Sequence, residues 1–435
     1  MNRCKAMRVM AGGSVAAVCS ALLLAFNECT AESSIYMQCG PSGPGPGVDC
    51  IHLAAGDGQV TMADDAEKTL YIFSFSEVPL PGVDGAPSDP SLYAGYVMDY
   101  GLLSANAPAP TIAVDEDDDV FLNLTNVGMV LRPDLSDPHT VHWHGFPNAS
   151  SVFDGVPESS IAINMGATLS YYYKPVDAGT YMYHCHVEAT EHMQMGMLGN
   201  LYVRPRQNRV ADGSSLFADF ATNDANVANG GTTPAPAVNT GETHTAGDTY
   251  AYNDGDGTTR YDVDVPIQIG SFDPDFHDAS YLVQPLPFRS MKDKYFLLNG
   301  RGYPDTTDDA VHSTMNDLGA NEASQPVSSH IEATAGQIIL LRISNLNVTQ
   351  FNTLGTNGIP MQVIAKDARL LRDGAGNNMY YMTNSVTLGG GQSFDVLLDT
   401  TGLGGKTFFL YSKNLSQLAN NAENFGGAMT EIVIN

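Results

Sequence analysis

The sequence has few basic residues, and this shortage limits the partners that the protein can have. Only 20 lysines and arginines stand against 48 aspartates and glutamates, which gives a formal net charge of −28. Such an acidic surface repels polyanions, so nucleic acid and anionic membrane surfaces are excluded as partners. The acidity favours solubility outside the cell, or the approach of a basic redox partner or a cationic substrate.

Helical periodicity is also lacking. No long segment repeats its apolar residues at helical spacing, whereas the 43 glycines and 24 prolines suit short strands and turns. Short apolar runs begin at Thr69 and recur as far as Val203, and similar runs fill the C-terminal part of the chain. This pattern predicts an all-β protein built of Greek-key β-sandwich domains.

Composition divides the 435 residues into five segments. We expect a first β domain over residues 65–206 and a second over residues 263–435. Residues 32–64 are rich in Gly, Pro and Ser and predict a flexible lead-in. Residues 207–262 are polar and predict a linker or surface excursion between the domains. Residues 1–31 have the features of a targeting segment.

Long apolar runs are missing except at the N-terminus. Basic residues there precede an apolar run over residues 9–26, and Cys29-Thr30-Ala31 fits a small-x-small cleavage site. We expect a signal peptide over residues 1–31 that exports the protein to the periplasm or the extracellular space. An uncleaved membrane anchor is the alternative, because the run approaches the minimum spanning length.

Cysteine is scarce, with six residues in the chain. Cleavage after Ala31 leaves Cys39, Cys50 and Cys185. Cys39 and Cys50 bracket a Gly/Pro-rich segment, and they could pair as a disulfide in an oxidising compartment. Cys185 is then the odd thiol, and its place between two histidines makes it a candidate metal ligand.

The residues around Cys185 have the chemistry of a metal site. Two imidazoles, one thiolate and a weak axial thioether are the ligands of a mononuclear copper that transfers electrons. The sequence offers this set, with two further methionines competing for the axial role. We predict that copper is bound by His139, Cys185, His192 and Met197, with Met193 and Met195 as the axial alternatives.

Four further histidines form two H-x-H pairs, His142 with His144 and His184 with His186. Residues i and i+2 of a strand point to the same face, so each pair could help to hold a second metal centre. The alternatives are vestigial motifs, or hydrogen-bonding support for the first site. Because Cys185 lies inside the second pair, the chain itself would connect the two centres for electrons.

The motifs H-x-x-H-x-H-G at 139–145 and H-C-H…H…M at 184–197 resemble the copper signatures of multicopper oxidases. The resemblance implies cupredoxin-like domains over roughly residues 65–435. It implies a type 1 copper at the predicted mononuclear site and a type 2/type 3 cluster at the H-x-H pairs. The implied activity is oxidation of a phenol, a metal ion or a redox protein, with dioxygen as acceptor. Electrons would enter at His192 and leave through Cys185.

The second domain repeats the first without its ligands. Pro110–Asn126 lines up with Ser329–Asn345, but the second unit has Tyr411-Ser412-Lys413 where the first has His-Cys-His. The second domain contains no H-x-H pair. We therefore expect it to be metal-free, and a full trinuclear cluster would need ligands from a homo-oligomer or a partner chain.

Two other functions stay open at this point. The first is an electron-transfer or copper-binding protein that has only the mononuclear site. The second is a nitrite reductase-like activity, which uses a type 2 copper with three histidines. His142 argues against the nitrite reductase-like activity, because this histidine occupies the position at which that family has its catalytic aspartate.

Overall fold

The computed structural model describes residues 47–222 and 233–435, and strands dominate both ranges. The strands before residue 222 are β1 (Val48–Thr61), β2 (Thr69–Glu77), β3 (Ala109–Asp115), β4 (Asp119–Gly128), β5 (His142–His144), β6 (Thr168–Tyr173), β7 (Gly179–His184) and β8 (Leu198–Arg204). The four α-helices in the described ranges are short, and they are α1 (Pro90–Gly101), α2 (Ala189–Gln194), α3 (Leu216–Thr222) and α4 (Pro274–Tyr281).

The strands after residue 233 form the second unit and the segment that leads into it. They are β9 (Thr249–Tyr250), β10 (Arg260–Tyr261), β11 (Val263–Phe272), β12 (Tyr295–Leu298), β13 (His312–Met315), β14 (Asn321–Gln325), β15 (Ile331–Ala333), β16 (Ile338–Asn345), β17 (Asn352–Thr356), β18 (Met361–Lys366), β19 (Arg369–Leu370), β20 (Tyr381–Thr383), β21 (Ser385–Leu388), β22 (Gln392–Asp399), β23 (Lys406–Ser412), β24 (Ala419–Asn420), β25 (Glu423–Asn424) and β26 (Met429–Ile434).

The first unit is a sandwich of two four-stranded sheets, ordered β2-β1-β4-β6 and β3-β8-β7-β5. Alternating side chains fill the space between them. In β6, for example, Tyr171 and Tyr173 are buried in the core, whereas Tyr172 lies on the outer face and is exposed. The second unit is built in the same way, from a larger sheet on β18-β22-β16-β11-β12 and a five-stranded sheet ordered β15-β26-β23-β17-β21.

The two units repeat one topology, as the sequence alignment predicted. In the first unit β1 runs parallel to β4 and β3 runs parallel to β8. In the second unit β11 runs parallel to β16 and β15 runs parallel to β26. The predicted all-β class with two β-sandwich units is therefore confirmed, while the exact domain boundaries stay predictions.

The prediction of a flexible lead-in over residues 32–64 is wrong for its second half. Val48–Thr61 is a 14-residue strand, hydrogen-bonded to β2 on one side and to β4 on the other. Its glycines suggested turns, but they permit close packing instead. A Cβ at Gly56 would lie 2.8 Å from Val127 Cγ2, and one at Gly58 would lie 3.1 Å from the Leu103 carbonyl oxygen.

Two predictions concern residues outside the described ranges. The signal peptide at residues 1–31 lies there, and so does Cys39, the predicted partner of Cys50. Cys50 itself is disulfide-bonded. Across the part of the chain that the structure describes, no helix has both the length and the apolar content needed to cross a bilayer.

The prediction of a linker or surface excursion over residues 207–262 is wrong for its last part, residues 250–261, most of which are buried. Tyr252 and Asp254 are buried there, although the surrounding sequence is polar. The polar groups are satisfied internally, since the Asp254 carboxylate accepts hydrogen bonds from Gln207 Nε2 and from the backbone and hydroxyl of Thr259. The Tyr252 hydroxyl donates to Asp395, so this segment joins the two units.

Strand β2 is buried on both of its faces, and this places the second unit beside the predicted metal site. On one face, Tyr71 and Phe73 pack in the core of the first sandwich. On the other face, Ile72 packs in a cluster with Phe272 of the second unit. Helix α4 also lies against β2, where His277 Nδ1 is 2.6 Å from the Tyr71 carbonyl oxygen.

Candidate metal centres

Strands β5 and β7 bring the two histidine motifs together. They pair antiparallel, so that His142 faces His184 and Trp143 faces Tyr183. Alternation along the strands then separates two environments. The ring of Trp143, the only tryptophan, stacks on Tyr173 in the core with centroids 4.0 Å apart, whereas the histidines collect on the other face.

The first candidate centre lies around Cys185, just beyond the end of β7. Cys185 Sγ is 3.1 Å from His192 Nδ1 and 3.9 Å from His139 Nδ1, and all three side chains are fully buried. One ligand atom from each residue lies within 4.8 Å of the others. The sulfur also accepts a hydrogen bond of 3.4 Å from the Thr140 backbone amide. Three of the four predicted ligands are thus brought together.

The fourth predicted ligand is placed by the loop that follows α2. The Cys185 amide donates to the Met197 carbonyl oxygen at 3.2 Å, and the Met197 amide donates to the His192 carbonyl oxygen at 2.8 Å. Met197 and Met195 are both fully buried in the core cluster that contains Cys185. Met193 packs in a different cluster, which favours the other two as axial ligands. The choice of Met197 stays a prediction.

The burial of this site sets its protonation. Burial, together with the neighbouring His192, lowers the pKa of His139 well below its usual value, and burial lowers the pKa of His192 to about 4. Burial raises the pKa of the Cys185 thiol to about 11. Two neutral imidazoles and a soft sulfur therefore converge in a site shielded from water. This donor set fits copper, whose charge would stabilise the thiolate.

Sequence analysis missed a group of carboxylates beside His192. Asp137 Oδ2 lies 3.8 Å from His192 Nε2, and both atoms are buried without a hydrogen-bond partner. Burial and the nearby Glu188 raise the pKa of Asp137 to about 6 and that of Glu191 to about 7. The signal was present, because two of these acids lie in the short segment between the predicted ligands Cys185 and His192.

The second candidate centre is formed by His142, His144 and His184, whose ligand atoms also lie within 4.8 Å of one another. Two of these rings are oriented by backbone carbonyls. His142 Nδ1 lies 2.6 Å from the Asp154 carbonyl oxygen, and His184 Nδ1 lies 2.8 Å from the Cys185 carbonyl oxygen. A neutral ring that donates from Nδ1 keeps its Nε2 lone pair for a metal.

His186 lies next to this group but outside it. Its ring centroid is 5.1 Å from that of His142 and 5.6 Å from that of His184. The second unit's histidines do not join either group. His277 bonds to β2, while His312 Nε2 lies 3.0 Å from Asp308 and His330 Nδ1 lies 3.3 Å from Asp309.

The second unit approaches this centre with backbone instead. A Cβ added at Gly391, whose φ is +84°, would lie 2.6 Å from His144 Nε2. The sequence signal for this contact was the run Gly389-Gly390-Gly391, which precedes a strand in the second unit. The turn that precedes β22 therefore lies directly against one predicted ligand.

Comparison with known proteins agrees with this arrangement. A family profile described as multicopper oxidase matches residues 96–208, and a second profile with the same description matches residues 289–433. The chain belongs to the multicopper oxidase and cupredoxin superfamily. The cofactor of this superfamily is copper, and its profiles cover both units, including the one without clustered histidines.

Similar curated proteins match about a quarter of this chain. Multicopper oxidase MCE of Talaromyces pinophilus is 35% identical over 116 residues, which cover 26% of this chain and 18% of that protein. Laccase-1 of Emericella nidulans is 37% identical over 99 residues, which cover 22% of this chain and 15% of that protein. The matches therefore span less than a fifth of either relative.

Similar solved structures extend over most of the chain and establish the fold. A blue copper oxidase from Nitrosomonas europaea has a TM-score of 0.57 at 20% identity, covering 89% of this chain and 86% of that one. A copper nitrite reductase from the same organism has a TM-score of 0.51 at 16% identity, covering 89% and 94%. The predicted cupredoxin-like β-sandwich fold is thus confirmed.

Proposed function

We propose that the protein is an exported copper-dependent oxidoreductase of the multicopper-oxidase type. His139, Cys185, His192 and Met197 would hold a type 1 copper, and the histidines of the two H-x-H pairs would hold a second copper centre. Copper bound in this way supplies one-electron oxidation of a donor at the first site and reduction of dioxygen at the second. The donor would be a phenol, a metal ion or a redox protein.

One observation carries the proposal, namely that a single dipeptide joins the two candidate centres. Cys185 belongs to the first group and His184 to the second, and they are bonded to each other. The hydrogen bond from His184 Nδ1 to the Cys185 carbonyl oxygen, at 2.8 Å, adds a second connection between the imidazole and the cysteine backbone. A protein that only stored or carried copper would not need this link.

The surrounding residues support this chemistry by holding the ligands and by excluding water. The stacked core around Trp143 lies behind β5, and the ring of Phe73 lies over His192 with centroids 5.2 Å apart. A rigid, water-excluded set of ligands lowers the rearrangement that accompanies each change of oxidation state. The carbonyls that fix the rings of His142 and His184 do the same for the second centre.

A mononuclear electron-transfer protein is the second candidate function, and a specific observation favours it. Among the described residues, only His142, His144 and His184 converge at the second centre, and no histidine of the second unit reaches them. A trinuclear cluster would thus depend on a homo-oligomer or on a partner chain for further ligands. Without these, the first site would work alone.

Copper content and electron paramagnetic resonance of the copper-loaded mature protein test the proposal, together with oxygen uptake. The oxidase predicts two or more coppers per chain, a narrow-hyperfine and a wide-hyperfine signal, and oxygen uptake with a phenol, Fe(II) or Cu(I). His142→Ala should remove the second signal and the uptake but keep the first signal. His244→Ala, which changes a histidine paired with Asp212, is the matched control. One copper, a narrow signal and no uptake would establish the electron carrier instead.

A further inference from the structure

Electrons were expected to enter at His192, and the structure buries this side chain completely. Phe73 of β2 covers one face of its ring in an edge-to-face contact at 5.2 Å. Phe276, Leu286 and Met291, which come from the second unit, pack into the same core cluster. A donor in solution therefore cannot touch this imidazole, and electrons need a route through the protein.

A continuous series of aromatic rings leads away from His192. Phe73 is followed on the same face of β2 by Tyr71, with ring centroids 6.3 Å apart. The ring of Tyr71 then stacks on Tyr281 of the second unit at 5.3 Å, with an angle of 25° between the planes. Tyr71 is buried, whereas Tyr281 is partly exposed, so the series reaches the surface.

Specific contacts hold the outer rings in place. Tyr281 is the last residue of α4, a helix whose N-terminus is capped by the Asp273 side chain. The helix is fixed to β2 by His277 Nδ1, 2.6 Å from the Tyr71 carbonyl oxygen. The Tyr281 hydroxyl donates to Asp317 Oδ2 at 2.5 Å, which orients the ring against Tyr71.

We propose that Tyr281, Tyr71 and Phe73 conduct single electrons from a donor at the protein surface to His192. This inference rests on the type 1 copper site proposed above. In each event the donor at Tyr281 would lose one electron, and a cupric ion held by Cys185 and His192 would gain it and become cuprous. The rings act as a bridge and are not themselves oxidised, so no proton has to move.

The aromatic series gives the second unit a role in electron transfer, although this unit supplies none of the predicted ligands. Tyr281 belongs to the second unit, whereas Tyr71 and Phe73 belong to the first, so the route exists only when the two units are packed together. The donor would meet the Asp317 carboxylate at the outer ring, which favours a cationic one-electron reductant. The size of the donor would not limit the transfer, because the donor need not enter the protein.

The test is the rate at which the blue absorption bleaches under anaerobic conditions with hexaammineruthenium(II), a cationic one-electron reductant. Tyr281→Leu should lower the second-order rate constant about tenfold, equivalent to about 1.4 kcal/mol of activation free energy. Tyr281→Phe keeps the ring and should retain the rate. Tyr100→Leu removes an exposed tyrosine on α1 and is the matched control, with no change expected.

A structural role for Tyr281 is excluded if the absorption spectrum and the reduction potential of the Tyr281→Leu protein match those of the wild type while the rate falls. An unchanged or faster rate in Tyr281→Leu would overturn the route, and a slower rate only in Asp137→Asn would move the entry point to that carboxylate. If the rate falls as expected but no oxygen is consumed, the route stands and the oxidase proposal fails. Absence of any blue band would overturn both.

Discussion

Gly391→Ala tests the second candidate centre independently of the first, because it changes neither a predicted ligand nor the surroundings of Cys185. The added Cβ would lie 2.6 Å from His144 Nε2 and 2.9 Å from its Cε1. Restoring an ordinary van der Waals distance of 3.4 Å requires a shift of roughly 0.8 Å, and metal sites tolerate only about 0.2 Å in ligand distances. We expect the variant to lose copper from the second centre while the first remains filled.

The backbone cost has to be distinguished from the displacement of His144. Gly391 has a φ of +84°, and an alanine in this conformation costs about 1–2 kcal/mol of stability. Gly319 has nearly the same φ, +83°, but nothing lies within 4 Å of its added Cβ. Gly319→Ala should therefore lose about 1–2 kcal/mol in denaturant unfolding and keep both centres.

The assay is copper per chain combined with electron paramagnetic resonance on both variants. Gly391→Ala should retain the blue band and the narrow-hyperfine signal while the wide-hyperfine signal weakens. The reasoning is refuted if both variants keep an unchanged wide-hyperfine signal, because the contact with Gly391 would then not position His144. Loss of the blue band in Gly391→Ala would also refute it, because the two centres would not be separable.

Three further results are expected. Cys185→Ser should abolish the thiolate-to-copper absorption near ~600 nm, and a persisting band in its visible spectrum would contradict the assignment of the sulfur ligand. Phe73→Ala should lose about 3–5 kcal/mol of unfolding free energy in a denaturant titration, because Phe73 is fully buried; a loss below about 1 kcal/mol would show that the site collapses around the gap. Burial lowers the pKa of His52 to about 3, so its neutral form stabilises the fold above pH 6.5 and this contribution declines as the pH falls from 6.5 towards 3. In copper-free protein, His52→Gln should therefore flatten the pH dependence of the unfolding free energy between pH 4 and 6 by about 1.4 kcal/mol per pH unit, and equal slopes would contradict this.

The ligand groups were predictable because their geometry is local. The i and i+2 spacing of a strand fixes the face on which His142 and His144 lie, and the pairing of β5 with β7 then brings them to His184. Cys185 follows directly from its position next to His184. The methionine ligand was not predictable in this way. Met195 and Met197 lie on an irregular loop, where no strand or helix period determines which side chain faces the sulfur.

The features that the sequence did not reveal depend on distant contacts. The glycines of β1 have the composition of a mobile segment, and only their neighbours, such as Val127 beside Gly56, show that they allow close packing. The contact of Gly391 with His144 joins residues far apart in the chain. Phe276 of α4 packs in the cluster that contains Cys185, and no sequence motif connects these two residues. Strand alternation predicts which side chains share one face of a sheet, but it does not predict which residues cover that face.

The two units therefore differ in the ligands that they supply, although both lie close to the candidate centres. The second unit offers no histidine to either group, yet Phe276 of its α4 packs in the core cluster that contains Cys185, and its Gly391 lies close to His144. A change in the packing of the two units would therefore alter the surroundings of both centres at once. The second unit is thus placed to affect the geometry of His144 and the packing around Cys185, although it contributes no histidine to either group.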